Sequence, residues 1–172
     1  SLRLVGSEMC IRDSSYTPVD GYLELKEAIC KKFHRDNKII YNPNQIVVST
    51  GAKQSIANVV QALIKPGEEV ILLAPFWVSY SAIVLMADGI PKILKSDISN
   101  DFKVSAKQID DAISEKTKMI IINSPNNPSG SIYNEKELYE IASVIKKYPN
   151  VFVLSDEIYA VSYTHLTLPT TR

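Results

Sequence analysis

The sequence is short of the residues from which several kinds of chemistry are built. Among its 172 residues are two cysteines and two histidines. Cys10 and Cys30 fall in no CxxC or metal-ligand spacing, and disulfide frameworks need a denser pattern. His34 and His165 give histidine triads and zinc sites almost no raw material. Lysine plus arginine and aspartate plus glutamate balance at 19 each. A nucleic-acid binder normally carries a basic excess, so neither that partner nor a membrane surface is indicated. No apolar run reaches the roughly 18 residues of a spanning helix. The GxxxxGK[ST] phosphate loop is also absent. These absences leave a reducing, cytoplasmic setting as the expectation.

What is present is enough apolar sequence, 45%, for a real core in one domain or part of one. The two ends read differently from the middle. Residues 1–14 show no period of 2 or 3.6 that continues into the neighbouring segment, and residues 161–172 lose all pattern after a strand-and-turn signal. The first stretch is no signal peptide, because Arg3 interrupts Leu2, Leu4 and Val5 well short of an apolar region of about 7 residues. Both flanks look like translated adapter or vector sequence. The native part is therefore expected to run from about Ser15 to Ala160.

That middle alternates helix and strand. Helical spacing is predicted over Tyr22–Arg35, Ala52–Ile64 and Trp77–Ala87. Ser105 and Asn134 read as caps of two further helices, with Glu137 at the third position after Asn134. β-rich runs occupy Ile46–Ser49, Val70–Leu73, Ile90–Leu94, Met119–Ile122 and Val151–Leu154. Short, continuous apolar strands between helices predict an α/β fold with a mostly parallel sheet covered on both faces. Ligands of such sheets bind beyond the carboxyl ends of the strands, so the loops there matter most.

Four of those loops carry unusual residues. Ser49-Thr50-Gly51-Ala52-Lys53 ends a β-rich run and opens a helix at once. Free amides and a positive dipole end suit a phosphate, although a plain tight turn has the same sequence. Ala74-Pro75-Phe76-Trp77 holds the only tryptophan, which could stack on a planar ring or simply join the core. Asn123 to Gly130 (NSPNNPSG) is rigid and rich in amides. Ser155-Asp156-Glu157-Ile158-Tyr159 puts two carboxylates at the end of an apolar strand. Asp156 and Tyr159 can face one ligand there if the chain turns helical.

Together the loops YTPVDG (Tyr16 to Gly21), STGAKQ, APFWVSY, NSPNNPSG and SDEIY resemble the fold-type I pyridoxal-phosphate (PLP) aminotransferases of the aspartate aminotransferase group, in order and spacing. The resemblance covers residues 15–160. It implies a three-layer sandwich, an incomplete part of that family's large domain, with cis peptides before Pro128 and Pro75. It implies PLP as cofactor, held at its phosphate by the amides of Gly51, Ala52 and Lys53. Trp77 would stack on the pyridine ring and Asp156 would pair with the ring nitrogen. Asn127 and Tyr159 would donate to the phenolic oxygen. Trp77 and Asn127 would also lie against the substrate. Tyr16 matches a tyrosine that reaches the partner's phosphate in a homodimer. A carboxylate beside the ring nitrogen favours its protonated form, which the cofactor's electron-sink chemistry requires.

The resemblance also implies what the chain does not carry. The lysine that bonds covalently to the cofactor and shuttles the proton lies beyond SDEIY, so no catalytic residue is expected within these residues and the chain alone is expected to be inactive. Lys53 is placed to offer its backbone instead. Strands from beyond the chain would also lie between Ile46–Ser49 and Val151–Leu154, leaving both with bare edges. The implied reaction is amino transfer between L-aspartate and 2-oxoglutarate. Aromatic aminotransferases and carbon–sulfur lyases share the loops. A PLP-sensing transcription regulator is the alternative of another class, distinguished by a DNA-binding segment upstream.

Overall fold

The structure, a computed structural model, describes residues 16–160. The two foreign-looking flanks lie outside these residues. The described part forms two compact units that divide after Gly51.

The first unit holds helix α1, Leu23–Asn37, and a short 3-10 turn, Pro43–Gln45. Helix α1 ends where Lys38 adopts φ 59°, and its amide returns to the His34 and Phe33 carbonyls. Gly21 precedes the helix at φ +97°, and a Cβ there would lie 2.5 Å from Val48 Cγ2, so only glycine fits. Residues 46–49, expected as a strand, join no ladder. Their β-branched side chains favour extended backbone, but a strand exists only when a neighbour takes its hydrogen bonds. Val48 N–H is instead taken by the Asp20 carbonyl. Among the described residues no strand pairs with this run.

The second unit is a three-layer α/β sandwich. Its strands are β1 (Glu69–Leu73), β2 (Ile90–Leu94), β3 (Thr117–Asn123) and β4 (Phe152–Asp156). They lie side by side in the order β2-β1-β3-β4, and every neighbouring pair is parallel. Alternation along the two central strands sorts the core into two layers. Val70, Leu72, Met119 and Ile121 pack with Ile56, Val60 and Ile83 of helices α2 (Ala52–Leu63) and α3 (Ser79–Met86). Ile71, Leu73, Ile120 and Ile122 face Ile109, Ile141 and Val144 of α4 (Ala106–Ala112) and α5 (Glu135–Ile145). The fully buried central strands account for their continuous apolar sequence.

The helix starts are set locally. Ser105 Oγ accepts from Gln108 N–H, and Asn134 Oδ1 accepts from Glu137 N–H while Glu137 returns to the Asn134 amide. Helix α3 begins at Ser79, two residues later than its apolar pattern suggests, because Trp77 lies in a turn whose carbonyl accepts from Tyr80 N–H. At the sheet's edge, β4 exposes Phe152 and Val153 at 45% and 46%. No helix among the described residues is long and apolar enough to cross a membrane.

Candidate active site

The carboxyl ends of β1, β3 and β4 place their following loops at one end of the second unit, as expected of a parallel sheet. There a cavity of about 240 Å³ is lined by Ala52, Trp77, Tyr80, Asn123, Asn127, Asp156, Ile158 and Tyr159. A larger hollow of about 650 Å³ lies between α5 and β4, lined by apolar residues such as Leu138, Ile141, Val151 and Val153. Of these two, the smaller gathers polar groups that converge, which is the mark of a binding site.

Asp156, the last residue of β4, is buried. Its Oδ2 accepts from the Tyr80 hydroxyl at 2.6 Å, and its Oδ1 accepts from Ile158 N–H at 3.1 Å. Burial, and then the Asp156 carboxylate, push the Tyr80 hydroxyl well above the ordinary tyrosine range, so it stays protonated as a donor. Asn123, the register partner of Asp156 on β3, donates from Nδ2 to the Asp156 carbonyl at 2.8 Å. Its Oδ1 accepts from Asn127 N–H at 2.9 Å. Asn127 in turn donates from Nδ2 to the Tyr159 hydroxyl at 2.9 Å.

The aromatic wall is Trp77, edge-on to Tyr80 with ring centroids 5.5 Å apart. The Lys53 ammonium stands 5.0 Å from the Trp77 ring centroid, a cation–π distance. So Lys53 contributes a side chain near the cavity as well as its place in the first turn of α2. The Asn127–Pro128 and Ala74–Pro75 peptides are cis, as the resemblance implies, and Ser124–Pro125 is cis too.

Of the residues singled out in the sequence, the second unit thus brings Ala52, Trp77, Asn127, Asp156 and Tyr159 to one cavity. Gly51 and Tyr16 belong to the first unit. Gly51 takes φ +90° and donates its amide to the Ser49 carbonyl at 2.9 Å, and Tyr16 is fully exposed. Tyr80 and Asn123 are two site residues that sequence reasoning misses. Both sit inside the motifs APFWVSY and NSPNNPSG, but nothing in the sequence shows that they meet Asp156.

The donor set fits a pyridoxal group. A buried carboxylate has four lone-pair directions, and Tyr80 and Ile158 use two, leaving capacity for a charged ring N–H. Asn127 spends one of its two amide hydrogens on Tyr159, whose hydroxyl accepts and retains its own proton. Two donors are therefore available for an oxyanion beside the carboxylate. Trp77 lines the cavity with the Lys53 ammonium over its ring, and the first turn of α2 supplies amides and a positive dipole end.

Residues 8–167 match the family Aminotransferase class I and II. The chain is 46% identical over 146 residues to an aspartate/prephenate aminotransferase from Nitrosomonas europaea, covering 85% of this chain and 37% of that protein. It superposes on the crystal structure of an aspartate aminotransferase from Rhizobium meliloti with a TM-score of 0.85 and 37% identity, over 96% of this chain and 41% of that one. An aromatic aminotransferase from Pyrococcus horikoshii gives a TM-score of 0.80 at 35% identity, over 88% and 41% of the two chains. The chain thus spans less than half the length of the relatives it matches.

Proposed function

The chain belongs to the class I and II aminotransferases, and from that membership we propose that it is the cofactor-binding part of a longer PLP-dependent enzyme that takes the amino group of L-aspartate. The acceptor in this reading is 2-oxoglutarate. The name of the Nitrosomonas relative favours prephenate as a second acceptor. The observation that carries the reading is the buried Asp156 carboxylate sharing one cavity with Trp77 and the Asn127–Tyr159 donor pair.

Bound there, PLP would supply an electron sink for the carbanion left at the substrate's α-carbon. The residues of this chain would do the holding and tuning. Asp156 would keep a proton on the ring nitrogen, because a carboxylate alongside stabilises the charged form. Tyr80 and the Ile158 amide fix the direction in which Asp156 presents that charge. Asn127 and Tyr159 would donate to the phenolic oxygen and hold it as an anion. Trp77 would cover the ring and exclude water from one face. Ala52 and Lys53, in the first turn of α2, would offer amides to the phosphate.

The test is purification of the complete protein that carries these residues, followed by a PLP titration and an assay of oxaloacetate released from L-aspartate. Release that requires both PLP and either 2-oxoglutarate or prephenate supports the reading. A protein that binds no PLP, or binds it and releases no oxaloacetate with either acceptor, overturns it.

A further inference from the structure

The structure assigns to Asn123 a positioning role: its side chain clips the loop after β3 to the end of β4 and so sets Asp156 and the Asn127–Tyr159 pair at a fixed spacing. The inference rests on the PLP reading of the cavity. Asn123 is the last residue of β3, is 5% exposed, and pairs in register with Asp156. One carboxamide does two opposite jobs. Nδ2 donates to the Asp156 carbonyl at 2.8 Å, and Oδ1 accepts from the Asn127 amide at 2.9 Å. Asn127 Nδ2 reaches the Tyr159 hydroxyl at 2.9 Å, and Tyr159 follows Asp156 by three residues. The contacts therefore close a ring from Asp156 through Asn123 and Asn127 to Tyr159 and back along the chain.

The ring matters because its members must act on two different atoms of one ligand. A carboxylate for a ring nitrogen and two donors for an oxygen on the carbon meta to it are useful only at the spacing of those two ligand atoms. β-sheet pairing fixes the strand ends but not the loop that follows β3. The Asn123 carboxamide transmits the strand register to that loop. No other uncharged side chain of its size offers a donor and an acceptor on one rigid plane. An aspartate there keeps the acceptor for Asn127 and turns the donor into an oxygen facing the Asp156 carbonyl. A serine is too short to span both partners.

The experiment uses the complete protein with Asn123→Asp and Asn123→Ser, each titrated with PLP and followed by the absorbance of the bound cofactor across pH. The expected result is cofactor affinity reduced about tenfold, the scale of one lost buried hydrogen bond. The pH midpoint of the bound cofactor's absorbance change should shift as well. Thermal unfolding without cofactor should stay cooperative, with a midpoint lowered by about a few degrees for the lost internal bond. Unchanged affinity and midpoint in either folded variant overturn the assignment. So does unfolding of both variants, which would make Asn123 a structural residue. If the unmutated protein itself binds no PLP, the functional reading fails and takes this inference with it. If it binds and the variants match it, the inference fails alone.

Discussion

Tyr80 and Asp156, 76 positions apart, meet through one buried hydrogen bond of 2.6 Å, the tyrosine hydroxyl donating to the carboxylate. The hydroxyl's proton is held by burial first and by Asp156 second, both of which raise its pKa above the ordinary 10.0. A group whose folded pKa is raised contributes stability that is fully present below the unfolded pKa and is lost as pH climbs above it. Unfolding midpoints measured from about pH 8 to about pH 11 should therefore fall more steeply above pH 10 in the unmutated protein than in Tyr80→Phe. Parallel curves would show that the bond carries no such linkage.

Asp156→Ala should leave the fold in place and remove the charge partner of the cofactor ring. Aspartate-dependent amino transfer by the complete protein is expected to drop roughly a hundredfold to a thousandfold, the scale for losing one preorganised electrostatic partner. Trp77→Phe keeps a flat face and should cost less than about tenfold in PLP affinity. Near-normal turnover in Asp156→Ala would refute its role.

The reciprocal cap at the start of α5 joins Asn134 and Glu137 through bonds of 2.9 and 2.7 Å. Asn134→Ala should destabilise the protein by about 1 kcal/mol. The denaturant midpoint should fall with an unchanged slope. No change in midpoint would mean that the Asn134 and Glu137 side chains contribute nothing net at this end.

Strand β4 is the terminal strand of its sheet, with Phe152 and Val153 each nearly half exposed. Such an apolar edge templates pairing with other chains. The 172-residue polypeptide expressed alone is expected to aggregate with rising concentration. Val153→Lys should reduce its light scattering severalfold, since an edge lysine opposes edge-to-edge pairing. Equal scattering from both would place the aggregating surface elsewhere.

Much of this architecture is legible in the order of residues alone. The apolar stripe of α2, the Ser105 and Asn134 caps and the continuous apolar runs of β1 and β3 are local signals. Each needs only neighbours within a few positions, and each became the element it announced. Loop chemistry is legible too, because a parallel sheet directs its strand ends to one side wherever the chain goes next. What only the tertiary structure decided are relationships between distant segments. Ile46–Val48 has the composition of a strand, yet pairing, not composition, makes one, and no described residue supplies it a ladder. The order β2-β1-β3-β4 brings Asn123 beside Asp156, and the turn after β1 brings Tyr80 beneath it. Neither asparagine nor tyrosine carries a local mark of such a task, since a hydrogen bond across 33 or 76 positions is set by the fold that joins its ends.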